Sequence, residues 1–157
     1  MKEHHYKAKI TWTGNIGEGT RSYQTYSRNH IISITHKPDI LGSSDPVFLG
    51  DISRYNPEEM LVASLSACHM LWYLHLCSER HIVVVDYADH ATGTMIESTD
   101  GGGRFKEVIL NPIVMINNPK QIDLAISVHN DAHHKCFIAN SCNFPVIIHP
   151  VCLVQGA

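Results

Sequence analysis

A chain of 157 residues is long enough to bury a core of its own, and a single domain over residues 1–157 is expected. Charged residues make up 17% and hydrophobic ones 44%, a balance that favours covering some surface with a second copy. A net charge of −3 excludes the basic footprint of a nucleic-acid binder. The start, Met1-Lys2-Glu3-His4-His5-Tyr6, has no apolar run of the kind that directs secretion. The most apolar stretch, Met60 to Cys77, is interrupted by Ser64, Ser66, His69 and His75, so no membrane span is expected. These features predict a cytoplasmic protein whose five cysteines are mostly free thiols.

Tyr6 to Trp12 alternates apolar and polar residues and predicts a strand. The glycine-rich Thr13–Gly19 predicts a turn, followed by strands over Thr20–Ser27 and His30–Thr35 that complete a meander. Lys37 to Tyr55 holds Pro38, Gly42, Pro46 and Gly50 and predicts a long loop. Asn56-Pro57-Glu58-Glu59 then opens a helix: Asn caps it, Pro fits the first position, and two acids face the positive dipole end. Apolar residues on nearly every side predict that this helix is buried all round to its polar end near Ser78–His81.

Two strands, Ile82–Ser98 and Arg104–Asn117, predict a hairpin around Thr99–Gly103. The glycines there are no phosphate loop, because no Lys-Ser/Thr follows them. Asn118-Pro119 starts a second helix with Ile122, Leu124, Ala125, Val128 and Ala132 as its stripe. A short piece over Cys136–Asn143 and a last strand over Pro145–Val154 complete the chain. The order is βββ-α-ββ-α-β, and strands in blocks predict the α+β class.

Two cysteines far apart stand in distinctive settings. Cys68 lies deep in the first helix, and Cys136 opens the segment after the second. A helix-borne cysteine with a distant second one, in a chain without a secretion signal, points to thiol redox chemistry. Taken by itself, Cys68 also reads as an ordinary core thiol, and Cys77 and Cys152 look like plain apolar positions. A zinc site from Cys68, His69, His133, His134 and Cys136 has little support, since no C-x-x-C or H-x-x-x-H spacing joins them.

The motif Asn56-Pro57-Glu58-Glu59, twelve residues before Cys68 in Ser66-Ala67-Cys68-His69, together with Cys136-Phe137-Ile138-Ala139-Asn140-Ser141, resembles the OsmC/Ohr family of thiol-dependent peroxidases. The resemblance runs over most of the chain. It implies an intertwined homodimer with two central helices packed against antiparallel sheets, and reduction of organic hydroperoxides or hydrogen peroxide. It implies Cys68 as the attacking thiol, Cys136 as the resolving thiol and Glu58 as an acid paired with an arginine. No metal or cofactor is implied; the partners are a small peroxide and a dithiol reductant. For the arginine, Arg21 is the first choice and Arg54 the second, with Arg28 in the same region. Cys142 and His69 have no counterpart in the family pattern.

The chemistry gives each of these residues a reason. A thiolate, not a thiol, attacks a peroxide oxygen, and an apolar site by itself opposes ionisation. An arginine keeps its proton and so suits the stabilising role, with a carboxylate to hold it. The sulfenic acid formed on Cys68 needs a second thiol before overoxidation. One geometric difficulty stands out: ten residues of straight helix hold Glu58 about 15 Å from Cys68. Either the helix breaks, or Glu58 serves the Cys68 of a second chain, with two helices crossing near Ala63-Ser64. A non-catalytic protein holding a small apolar ligand, or a redox sensor using the same disulfide, is the alternative reading.

Overall fold

A computed structural model describes residues 2–156. The chain divides into two compact units, one ending at Met60 and the other beginning at Leu61.

In the first unit three short strands, β1 (Lys9–Trp12), β2 (His30–Ser33) and β3 (Ile40–Gly42), form an antiparallel sheet in the order β1-β2-β3. Two expectations are corrected here. Thr20–Ser27 is no strand; beyond one isolated bridge between Asn15 and Tyr26, it folds as turns. The cause is Arg28, whose guanidinium donates to the carbonyls of Tyr26 and Tyr23, both at 2.6 Å. It also lies 4.1 and 4.3 Å from the centres of the same two rings. Wrapping a cation in two carbonyls and two ring faces outweighs extended pairing. The third strand instead comes from the expected loop, with Ile32 opposite Ile40 and His30 opposite Gly42. Gly42 leaves room for the His30 imidazole, which a β-carbon there would push aside. None of the large apolar side chains of this unit is fully buried among the described residues.

Helix α1 spans Pro57–Glu79 without a break. Asn56 Oδ1 accepts the Glu59 amide proton at 2.7 Å, and the Glu59 carboxylate accepts the Asn56 amide proton at 3.2 Å. This reciprocal cap is worth about 1 kcal/mol. At 23 residues the helix is long and apolar enough to cross a membrane, which corrects the sequence estimate. Burial on every side is also corrected: Leu65, His69, Tyr73, Leu76 and Cys77 are buried, while Ala63, Ser64, Ala67 and Leu71 face outward. Leu71 is 63% exposed. The buried side makes α1 the central core helix of the second unit.

The expected hairpin forms, but each arm is interrupted once. Its arms are β4 (Val84–Asp89) with β5 (Thr92–Glu97), and β6 (Gly103–Leu110) with β7 (Pro112–Ile116). The last strand is also divided, into β8 (Val146–Ile148) and β9 (Val151–Val154). The interruptions fall at one level, at His90-Ala91, Asn111 and His149-Pro150, and split the strands into sheets β4-β7-β9 and β5-β6-β8. Pro112 and Pro150 lack the amide proton that a straight ladder would use at this level. Asp89 holds the bend by accepting the Asn111 amide proton at 2.7 Å. The sheets are mixed rather than antiparallel, since β8 runs parallel to β6 and β9 parallel to β7. Parallel pairing needs a crossover, and α2 (Ile122–Lys135), entered through a 3-10 turn at Pro119–Gln121, supplies it. The buried side of α2 is Ala125, Val128, His129 and Ala132, whereas Leu124 points out.

Two apolar clusters result. Tyr73, Leu76 and Cys77 pack with Val114 and Ile116 of β7 and with Ala125, Val128 and Ala132 of α2. Leu65 packs with Val108 and Leu110 of β6, bordered by Ile138, Cys142 and Phe144. Cys68 lies on α1 between the two.

Candidate active site

Cys136 ends α2. Its amide proton goes to the His133 carbonyl, and its backbone then turns extended. That exit folds the thiol inward to 1% exposure, where its sulfur accepts the Ala139 amide proton at 3.4 Å. The Cys68 thiol is near enough to raise its pKa. Residues 68 positions apart in sequence thus form a dithiol. Burial pushes the Cys136 thiol up to about 11, and the neighbouring Cys68 thiol adds to this, against a smaller opposing effect of the Ala139 amide. The proton therefore stays on Cys136. Cys68 is only half-buried, so it is the sulfur a small molecule can reach.

All five cysteines are free. Cys142 donates to the Ile138 carbonyl at 3.3 Å and fills the edge of the β6 cluster, where burial raises its pKa. Cys77 and Cys152 belong to the other cluster, as their apolar settings indicated.

A buried histidine pair beside the dithiol escaped the sequence reading. His69 Nε2 and His129 Nδ1 share a hydrogen bond of 2.9 Å, and the rings lie within 12° of parallel. His129 stacks on Tyr73 with ring centres 3.9 Å apart. Burial lowers His69 to about 4, partly offset by the Asp89 carboxylate and reinforced by His133. Burial and the neighbouring His69 lower His129 to about 3. Both rings are thus neutral at physiological pH. The available signal was spacing: His69 continues the Leu65–Tyr73 stripe, and His129 lies between Val128 and Ala132. Ser66, also overlooked, donates to Asp89 Oδ2 at 2.5 Å and ties the Cys68 turn to the bend in the sheet.

The remaining expected residues lie toward the N-terminus. Glu58 is in the first turn of α1, and the unbroken helix keeps it about 15 Å along the axis from its own Cys68. Arg21 is largely exposed and makes one ion pair, with Glu18 at 3.6 Å. Arg28 is held by Tyr23 and Tyr26. Arg54 pairs with Asp51 at 3.4 Å and donates to the His30 carbonyl at 3.5 Å.

Fold and site together define a class: an α+β protein carrying a dithiol between its central helix and the end of its crossover helix. The family model for OsmC-like proteins matches residues 50–149, and the chain belongs to the OsmC-like family. An OsmC-like protein of unknown function from Vibrio cholerae is 30% identical, with a TM-score of 0.86 over 95% of this chain and all of that one. An organic hydroperoxide resistance protein OsmC from Legionella pneumophila shares the fold at 17% identity, with a TM-score of 0.70 over 98% of this chain and 99% of that one. An organic hydroperoxide resistance protein from Elizabethkingia anophelis is also 17% identical, with a TM-score of 0.69 over 98% of this chain and 100% of that one. No curated protein matches the sequence.

Proposed function

We propose that this protein is a thiol peroxidase that reduces organic hydroperoxides, with hydrogen peroxide as a smaller substrate. The observation that supports the reading is a half-buried Cys68 neighbouring the buried Cys136. In the first step the Cys68 thiolate attacks the terminal peroxide oxygen, the O–O bond breaks, and the alkoxide takes a proton and leaves as the alcohol. Cys68 is then a sulfenic acid. The Cys136 sulfur attacks it, its proton leaves with the hydroxyl as water, and a disulfide forms. A dithiol reductant restores both thiols by exchange.

Arg21 fits the activating role best of the three arginines, because among the described residues an exposed ion pair alone engages it. Its charge would hold Cys68 ionised, with Glu58 orienting it. Glu58 would act on the Cys68 of a second protomer, since α1 does not break. The outward face of α1, with Ala63, Ser64, Ala67 and Leu71, is suited to crossing its own copy closely. The first unit, with no fully buried large apolar side chain among the described residues, also needs a covering surface. We therefore read each protomer as one working domain of a homodimer in the cytoplasm. Light scattering at micromolar concentration is expected to give twice the chain mass of 17.6 kDa. A fully active monomer would remove the composite site.

One equivalent of cumene hydroperoxide is expected to consume two of the five thiols in the reduced protein. An unchanged thiol titre would rule the peroxidase out and leave a binding protein. Sustained turnover with a dithiol present separates an enzyme from a sensor, which would be oxidised once and stop.

A further inference from the structure

The proposed steps leave one buried polar pair beside the dithiol without a task. His69 is 1% exposed and His129 is 3% exposed. Enclosing two imidazoles is costly, and one shared hydrogen bond offsets that cost only in part. His69 Nδ1 is moreover buried without a partner. Two leucines would fill similar space with no polar atom to satisfy. What leucines would lack is direction: the 2.9 Å bond between His69 Nε2 and His129 Nδ1 holds the two helices to one narrow arrangement.

The bond lies where that arrangement matters. His69 directly follows Cys68 on α1, and His129 precedes Cys136 by seven residues, two turns or about 10 Å along α2. The middle of α2 thus rests on one side of α1, where His129 also stacks on Tyr73 with ring centres 3.9 Å apart. The end of α2 rests on the adjoining side, where Phe137 meets Trp72 with ring centres 5.6 Å apart. Ala125, Val128 and Ala132 add apolar contacts, which have no preferred direction and tolerate small sliding movements. A disulfide tolerates little: its bond length, dihedral and Cβ separation are narrowly set.

We propose that His69 and His129 are positioning residues for the resolving step: their hydrogen bond sets the approach of α2 to α1, so that Cys136 reaches the oxidised Cys68 before a second peroxide does. The inference rests on the peroxidase reading and deepens it. The Cys136 sulfur attacks the sulfenic sulfur, the S–O bond breaks, and the Cys136 proton leaves with the hydroxyl as water. In the competing step a second hydroperoxide gives an oxygen atom to the sulfenic acid, which becomes a sulfinic acid as the alcohol leaves. The histidine pair acts on the contest between these two steps through geometry and exchanges no proton in either.

The test treats reduced protein at pH 8 with rising cumene hydroperoxide and no reductant. Mass spectrometry then counts the Cys68–Cys136 disulfide and the Cys68 sulfinic acid. The quantity read is the peroxide concentration at which the two products are equal, which does not depend on how fast the first step runs. It is expected to fall about ten- to hundredfold in His69→Leu/His129→Leu, while denaturant unfolding at pH 8 shows the variant to be no less stable than the parent. His129→Asn, whose amide can take the place of Nδ1, should stay within about threefold of the parent. His129→Gln is equally polar but carries its amide one bond further out, and should fall about tenfold; this contrast decides the matter even where the leucine pair does not fold. Values within about twofold of the parent in the leucine pair and in His129→Gln would overturn the proposal and leave the peroxidase reading in place. An equal fall in His129→Asn and His129→Gln would also overturn it, because lost packing and not the lost hydrogen bond would be the cause. A parent that forms neither product would overturn both readings.

Discussion

Cys68→Ser is expected to lower peroxide consumption by at least about a thousandfold, because a serine hydroxyl does not ionise near neutral pH and is a far weaker nucleophile toward peroxide oxygen. Cys136→Ser is expected to behave differently. It keeps the half-buried Cys68, so it should release one equivalent of alcohol per chain and then stall. Mass spectrometry after dimedone trapping would find the sulfenic acid on Cys68, and excess peroxide would drive it to the sulfinic acid. Cys142→Ser, which starts with one thiol fewer, should lose the same two thiols to peroxide as the parent, because Cys142 donates to Ile138 and fills a cluster edge. Parent-like consumption by Cys68→Ser would end the assignment. Undiminished turnover by Cys136→Ser would leave the attacking thiol in place but remove the resolving role from Cys136.

The second large effect concerns acid. His69 and His129 stay neutral in the folded chain down to about pH 4 and 3. In the unfolded chain each takes up its proton near pH 6.5. Between those limits the unfolded state binds more protons, so stability is complete above about pH 6.5 and declines as the pH falls. By pH 4.5 the two groups together should have removed about 5 kcal/mol, before other titrations are added. Asp89 favours protonation of His69, whereas His133 opposes it, so neither neighbour reverses the sign. Denaturant unfolding followed by circular dichroism at pH 8, 6 and 4.5 measures the decline. His69→Leu/His129→Leu should flatten it, and a parent whose stability does not change over this range would contradict the neutral pair.

The elements legible in the sequence were those with strong local chemistry. The cap at Asn56-Pro57, the length of α1, the hairpin around Gly101–Gly103 and the start of the second helix all follow from residues within a few positions of each other. Misread segments had a distant or charged determinant. Thr20–Ser27 has strand composition, yet Arg28 gathers its carbonyls and rings. β3 consists of three residues in a proline- and glycine-rich stretch and is a strand only because β2 pairs with it. Parallel pairing of β8 and β9 depends on where α2 returns the chain, which periodicity does not encode.

The same division applies to the site. By itself the sequence determined the capped helix that carries Cys68, the motif that carries Cys136 and the family both belong to, because caps and motifs act over a few bonds. Only the tertiary structure decided that the two thiols meet, that Cys136 keeps the proton, and that His69 finds His129 rather than solvent. Those outcomes depend on how α2 packs against α1 and how far water is shut out there. Desolvation and contact between distant residues arise only when the chain has closed on itself.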